Sequence, residues 1–176
     1  MFCLKLRKAK STLQNTHSAF EAQDDESEKE EEVVVKRQKL DCELTGEQKG
    51  KKLKEEGIIL AENNRFWQAI DKWNQALTLL PNDETIYEMK AQSLMELNEI
   101  FPAVEAALKS VQLKCNWFVA YQTYGRALLN VGEIEKAVKS FCRAIHLNPE
   151  DGEVRQDLEH SLTLLSMRKQ REREHQ

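Results

Sequence analysis

The chain has few of the residues that build cross-linked or membrane-spanning proteins. Its 176 residues include four cysteines, and no two of them form a CxxC pair. Scattered cysteines are typical of free thiols in a reducing compartment rather than of a disulfide framework. No apolar run is long enough to cross a bilayer, and lysines follow Met1 too soon for a signal-peptide core. We therefore expect a cytoplasmic or nuclear protein that is neither secreted nor membrane-spanning.

The sequence also lacks the motifs that carry catalysis or cofactor binding. It contains no glycine-rich phosphate loop and no GxSxG, HExxH or DxDxDG pattern. Cys142 and His146 are four residues apart, as two metal ligands on a helix can be, but no second pair completes a four-ligand set. The net charge of −4 argues against a nucleic-acid-binding surface over the whole chain. We predict a protein that is not an enzyme and holds no cofactor or metal.

A 34-residue period is the main feature that the sequence does contain. Ala69, Ala103 and Ala137 are spaced by this interval, which is typical of a solenoid built from helix–turn–helix units. Three contiguous frames follow, at 50–83, 84–117 and 118–151. Five further positions of the frame also recur. Position 8 is Gly57, Ala91 and Gly125; position 11 is Leu60, Leu94 and Leu128; and the turn in mid-frame is Asn64, Asn98 and Gly132. Position 27 is Ala76, Ser110 and Ala144, and position 32 is Pro81, Cys115 and Pro149.

Each recurring position has a physical role in a pair of helices. Small residues at positions 8 and 20 let two helix backbones approach, and Trp73 and Phe141 fill the space beside them. Asn or Gly accepts the left-handed turn conformation between the helices, and proline ends the second helix. The middle frame has Ala107 in place of the large ring and Cys115 in place of proline. We therefore expect the end of the middle repeat to be less sharply defined.

The three frames resemble tetratricopeptide repeats, whose pattern runs W/Y, L-G, Y, A, F, A and P. The resemblance covers most of 49–149 and implies a three-repeat intracellular interaction protein. We predict an all-α solenoid of three repeats over 46–151, a capping helix over 152–167 and a charged tail over 168–176. Asp151 is expected to cap the last helix, and a capping box beginning at Thr45 to cap the first.

Residues 1–45 are predicted to form a disordered arm, because this polar segment cannot bury enough apolar surface to offset its ordering entropy. The arm carries an acidic tract at 21–32 and a basic patch at 36–39. Ser27, within the acidic tract, is a candidate site for an acidophilic kinase, although the tract can also be merely solubilising. The basic patch is a candidate nuclear import signal. A further hypothesis is that the acidic tract shields the basic end of a groove.

The resemblance also implies a groove lined by the first helix of each repeat at positions 2, 5, 9, 12 and 13. Such a groove binds an extended peptide or a helix of a partner protein, and this is the function that we predict. The groove candidates are Lys51, Lys54, Ile58, Ala61 and Glu62 in repeat one; Thr85, Glu88, Gln92, Met95 and Glu96 in repeat two; and Val119, Gln122, Arg126, Leu129 and Asn130 in repeat three.

One well-known use of this fold is a carboxylate clamp that grips the acidic C-terminus of Hsp70 or Hsp90. Lys54 and Arg126 match the clamp pattern. The three remaining clamp positions are occupied by other residues, namely Ile58, Gln92 and Gln122. Glu88 is expected to lie exposed in the groove and to repel a carboxylate. A co-chaperone function is therefore an alternative with only partial support from the residues.

A second alternative is a structural subunit of a larger nuclear complex, such as an RNA-processing assembly. Such a subunit would use the convex face, formed by the second helices, together with the arm. We expect Trp67 to be a packing residue at the start of a second helix. Its exposure would instead favour an interface on the convex face.

Overall fold

The computed structural model describes residues 45–174, and these residues form seven α-helices and no strand. The predictions for the acidic tract, the basic patch and Ser27 lie outside the described residues. The helices are α1 (Gly46–Glu62), α2 (Phe66–Leu79), α3 (Glu84–Glu96), α4 (Ile100–Leu113), α5 (Phe118–Val131), α6 (Ile134–Leu147) and α7 (Gly152–Glu174).

The helices pack as three successive pairs followed by a single helix. Within each pair the contacts are dense, between α1 and α2, α3 and α4, and α5 and α6. Neighbouring pairs stack through α2 on α3 and α4 on α5, and the first helices also touch, α1 with α3 and α3 with α5. Helix α7 packs on α6 and contacts α5. The predicted all-α solenoid is confirmed, and α1, α3 and α5 share one surface of it.

The turns inside the three pairs have one common geometry. Asn64 and Asn98 have φ of 59°, and Gly132 has φ of 87°, as predicted for the left-handed residue that ends a helix. The leucine at position 11 then accepts a backbone hydrogen bond from the residue after the turn. These N–O distances are 2.9, 2.9 and 3.0 Å for the carbonyls of Leu60, Leu94 and Leu128. The leucine therefore serves the turn through its backbone as well as the core through its side chain.

The middle repeat ends as sharply as the other two, contrary to our expectation. Helices α2, α4 and α6 have 14 residues each and end at Leu79, Leu113 and Leu147, which are equivalent positions. Two side-chain contacts hold the end of α4 in place of the missing proline. The Ser110 hydroxyl donates to the Glu84 carbonyl oxygen at 3.0 Å, and the Lys114 ammonium pairs with the Glu84 carboxylate at 2.7 Å.

Small residues set the distance between the helices of a pair. An added Cβ on Gly57 would lie 2.3 Å from Trp73 Nε1, and one on Gly125 would lie 2.6 Å from Phe141 Cε1. Both rings are almost completely buried. The Trp73 indole also donates to the Lys54 carbonyl oxygen at 3.2 Å. In the middle repeat two buried alanines, Ala91 and Ala107, occupy the equivalent positions. Alanine thus replaces the glycine of the first helix and also the aromatic ring of the second helix.

Helix α7 closes the stack and is longer than the predicted cap. Asp151 caps it as expected, because its carboxylate accepts the amide of Val154 at 3.0 Å. Val154 and Ser161 are fully buried and Leu158 is half-buried, whereas Leu162 is exposed. The helix continues through Glu174 with exposed polar residues. The buried face is therefore restricted to the first part of α7.

We predict that Gly57→Ala destabilises the protein by about 1–3 kcal/mol, because the new methyl group overpacks the contact with the Trp73 ring. Urea denaturation followed by far-UV circular dichroism measures this change. Gly152→Ala is the matched control, since a Cβ there meets no atom within 4 Å and alanine is a better helix former. Equal stability of Gly57→Ala and the wild type would contradict the proposed close contact.

Cys115→Pro is expected to stabilise the protein by about 0.4–1 kcal/mol by restricting the unfolded chain. Cys115 is exposed, and no backbone acceptor binds its amide within residues 45–174. Lys114 already has φ −139° and ψ 84°, close to the values of Leu80 and Asn148, which precede Pro81 and Pro149. Thermal melts of Cys115→Pro and Cys115→Ser separate the effect of proline from loss of the thiol. A lower melting temperature for the proline variant alone would show a strained turn.

Candidate functional site

The surface shared by α1, α3 and α5, which we call the groove, contains the predicted site residues in three states of burial. Glu88 and Gln122 are buried. The half-buried ones are Lys54, Ile58, Ala61, Thr85, Met95, Val119 and Leu129, and the exposed ones are Lys51, Glu62, Gln92, Glu96, Arg126 and Asn130. The expectation that Glu88 is exposed was wrong, and Gln122 is buried as well.

Lys54 is engaged by the loop between α2 and α3. Its ammonium group donates to both carboxylate oxygens of Asp83, at 2.8 and 3.1 Å, and to the Thr85 hydroxyl. The same carboxylate caps α3 by accepting the Thr85 and Ile86 amides. Burial raises the pKa of Asp83, but the hydrogen bonds from Lys54 and Thr85 together lower that pKa below its usual range. The first clamp-like cation is therefore already neutralised by a carboxylate of its own chain.

Arg126 is engaged in the same way by α7. Its Nε donates to Asp157 Oδ2 at 2.8 Å, and a guanidinium nitrogen lies 3.5 Å from a Glu153 carboxylate oxygen. The Gln122 amide donates to the same Asp157 oxygen at 3.0 Å. We did not predict Asp157, but the sequence holds a signal for it. Asp157 follows Val154 by three residues and directly precedes Leu158, within the stripe that α7 buries.

Glu88 lies between α3 and α5 and not in the open groove. It is only 5 % exposed. One of its oxygens, Oε1, accepts the Thr123 hydroxyl at 2.7 Å and the side-chain amide of Gln92. Burial raises the pKa of Glu88, and these two hydrogen bonds offset that effect only in part. Its carboxylate therefore acts on the contact between the second and third repeats, and its predicted role of repelling a ligand was wrong.

A cavity of about 320 Å³ opens in the groove between α1 and α3. Its walls combine apolar side chains with a few polar ones, as ligand-binding cavities do. The lining residues are Ile58, Ala61, Glu62, Phe66, Trp73, Met89, Gln92, Ser93 and Glu96. The predicted groove residues among them are Ile58, Ala61, Glu62, Gln92 and Glu96, whereas Phe66 and Trp73 reach the cavity from α2. We refer to it as the groove pocket.

Two aromatic side chains are exposed on the second helices. Trp67 is 60 % exposed and Phe101 is 73 % exposed. Each is the second residue of its helix, in α2 and α4, and the two are 34 residues apart. The expectation that Trp67 is a packing residue was wrong, because Trp67 lies on the exposed side of α2 with Gln68 and Asp71, whereas the buried side carries Ala69, Ile70 and Trp73.

The Cys142 and His146 pair gains no further ligand-type side chain within residues 45–174. Cys142 and His146 are both exposed on α6. In this part of the chain no three His, Cys, Asp or Glu side chains are grouped to hold a metal ion. None of the seven described helices is both long and apolar enough to cross a membrane.

Known proteins with similar sequences are repeat proteins. The chain is 49% identical over 123 residues to tetratricopeptide repeat protein 33 of Homo sapiens, a match that covers 69% of this chain and 47% of that protein. It is 48% identical over 118 residues to the protein of the same name in Xenopus laevis, covering 66% and 46%. The chain thus spans about half the length of the curated relatives it matches. No family model matches it.

A solved structure with the same fold completes the comparison. The first tetratricopeptide repeat domain of Spaghetti (RPAP3), bound to the HSP90 peptide SRMEEVD, superposes with a TM-score of 0.66 at 24% sequence identity. The match covers 68% of this chain and 94% of that one. The chain belongs to the tetratricopeptide repeat family. Its three helix pairs are tetratricopeptide repeats.

We predict that Glu88→Gln raises stability at pH 7 and leaves it unchanged near pH 4. The pKa of Glu88 in the folded protein lies above its ordinary value of 4.5, so the folded state holds the proton more tightly. The contribution of Glu88 to the stability of the wild type is therefore fully present below pH 4.5, and it is lost as the pH rises through the folded-state pKa. Glutamine removes the charge and keeps an oxygen that can accept from both Thr123 and Gln92.

Urea denaturation at pH 4, 5, 6 and 7 measures the difference between Glu88→Gln and the wild type. Glu96→Gln is the control, because Glu96 is exposed at the end of the same helix. A stability difference between Glu88→Gln and the wild type that is the same at all four pH values would contradict the prediction.

Proposed function

We propose that this protein is a non-catalytic adaptor whose groove binds a segment of a partner protein. The observation that carries the proposal is the groove pocket, an apolar cavity between the first helices of repeats one and two. A pocket in this place can hold one anchoring side chain while the rest of the segment runs along α3 and α5. No catalytic role is proposed, because the polar side chains that the repeats bring together, Lys54, Glu88, Gln122 and Arg126, are engaged in hydrogen bonds and ion pairs between helices.

Photocrosslinking from single positions tests this proposal. A photoreactive residue at Gln92, which is exposed and lines the groove pocket, should label one defined segment of a partner in cells. The same residue at Gln112, which is exposed on α4, serves as the control position. A synthetic peptide of the labelled segment should then bind the purified chain, and Ala61→Trp should abolish that binding by filling the pocket. Equal labelling from both positions, or peptide binding that survives Ala61→Trp, would contradict the proposal.

A second candidate function is that of a structural subunit which docks through the convex face. The exposure of Trp67 and Phe101 at equivalent positions favours it, since exposed aromatic residues are enriched in interface hot spots. Photocrosslinking from Phe101 distinguishes the two functions. Labelling that is confined to Phe101 and retained in Ala61→Trp would favour the structural subunit over the groove adaptor. A nuclear complex as the partner remains part of this second hypothesis.

The co-chaperone alternative receives less support from the geometry. The structural neighbour named above is bound to an HSP90 peptide, but at 24% identity it shares the fold alone with this chain. Here both clamp-like cations are paired within the chain, Lys54 with Asp83 and Arg126 with Asp157. An acidic C-terminus would have to displace these carboxylates before it could bind.

We therefore predict that a peptide ending in EEVD binds the wild type weakly, and that Asp157→Asn strengthens binding by about three- to ten-fold. The gain is the ordinary contribution of one partly exposed ion pair, because the substitution removes the nearer of the two carboxylates beside Arg126. Isothermal titration calorimetry measures the affinities, and Asp71→Asn on α2 is a control with the same change of charge. Micromolar binding by the wild type that is lost in Arg126→Ala would show that the clamp operates despite the ion pairs.

A further inference from the structure

The mouth of the groove pocket carries uncompensated negative charge. Glu62 and Glu96 both line the pocket, both are exposed, and neither forms an ion pair within the described part of the chain. Each is the last residue of its helix, Glu62 in α1 and Glu96 in α3. Neither helix has a basic residue in its last turn. At the mouth of the pocket the charges of these two carboxylates therefore add to the partial negative charges at the C-terminal ends of α1 and α3.

The positive charges near the groove compensate this site only in part. Lys54 and Arg126 are held by Asp83 and Asp157. Lys51 pairs with Glu47 one turn away at 2.6 Å. Arg65, in the turn after α1, is exposed and forms no ion pair within residues 45–174. The free charge that a ligand in the groove pocket meets is therefore predominantly acidic.

The wall of the groove pocket is apolar beneath this acidic rim. Ile58 and Ala61 come from α1, Phe66 from the start of α2 and Met89 from α3. The unbranched, polarisable side chain of a methionine adapts to ligands of different shape. A volume of about 320 Å³ is at the lower end of the range for ligand sites, which suits one large side chain rather than a folded surface.

We propose that the groove selects a basic segment, one with a large apolar residue flanked by lysine or arginine, and not an acidic C-terminus. The apolar side chain enters the groove pocket, and a basic residue on each side pairs with Glu62 and Glu96. This inference rests on the proposed function, because it names the chemistry of the partner segment for the same groove. It reverses the charge preference that the fold resemblance alone implies.

Two labelled peptides test the inference with the full chain. One is a ten-residue peptide with a central leucine, a lysine on each side of it and otherwise glycine and serine. The other carries glutamate in place of both lysines. Fluorescence polarisation at 50 mM and 200 mM salt should show that the lysine peptide binds at least five-fold more tightly than the glutamate peptide at the lower salt concentration. This ratio is the expected effect of two exposed ion pairs, and it should shrink at the higher salt concentration.

Charge reversal locates the effect. Glu62→Lys combined with Glu96→Lys should invert the preference, so that the glutamate peptide binds more tightly. The control combines Glu105→Lys and Glu135→Lys, which make the same change of net charge at exposed positions on α4 and α6. This control should retain the preference for the lysine peptide. Melting curves of both variants confirm that each is folded before binding is compared.

The possible outcomes distinguish a failure of the charge inference from a failure of the proposed groove function. If the glutamate peptide binds the wild type more tightly and Ala61→Trp removes that binding, the groove function stands and the charge inference fails. If both charge reversals weaken the lysine peptide equally, only long-range attraction is present and the inference fails. If neither peptide binds in a manner that Ala61→Trp affects, a leucine-anchored segment is not the ligand, and the inference is overturned whatever the crosslinking experiment shows.

Discussion

The close approach of the two helices within each pair is the constraint on which the rest of the structure depends. Gly57 and Gly125 leave room for a buried ring of the second helix, Trp73 and Phe141 respectively. With the two helices this close, a turn of two or three residues can join them, and one left-handed residue is enough to reverse the chain. Three similar pairs then stack in register, which places α1, α3 and α5 on one surface. The groove is a consequence of this stacking.

The electrostatic character of the groove is set largely by residues outside its lining. Asp83, in the loop before α3, engages Lys54, and Asp157, in the last helix, engages Arg126. Both carboxylates also serve structure, Asp83 as a helix cap and Asp157 as a contact between α5 and α7. A pair of opposite charges contributes little net field at a distance, so the unpaired charges of this region are Glu62 and Glu96 at the groove pocket and Arg65 in the turn after α1. The same side chains that join the repeats thereby shape the groove.

Much of the fold could be predicted because its determinants are local and recur. Asn64, Asn98 and Gly132 identify the turns by their tolerance of positive φ, and Asp151 is recognisable as a helix cap. The middle repeat was harder, because its end is held by Ser110 and Lys114, which reach across to Glu84. Neither residue is a helix stop signal by itself. Only the position of α3 beside α4 gives these two side chains their role.

The candidate site was predicted less completely, for a related reason. Assigning groove positions by their number within a repeat treats each first helix as if one face were always open to solvent. Glu88 and Gln122 violate this assumption, because α5 covers the first and α7 the second. Their partners, Thr123 and Asp157, are each 35 residues away along the chain. No pattern within one helix reports a partner at that distance.

Helix pairing, turn geometry and the stacking of repeats thus follow from patterns within one repeat, because each small residue, turn residue and leucine acts on the helix pair to which it belongs. Which polar side chains are free to bind a ligand was decided only when the helices packed. From the sequence, Lys54 and Arg126 are expected to be cations that a ligand can pair with. In the structure each forms an ion pair with a carboxylate about 30 residues further along the chain. The sequence determines which residues carry a charge, whereas the tertiary structure decides which of these charges have no oppositely charged partner.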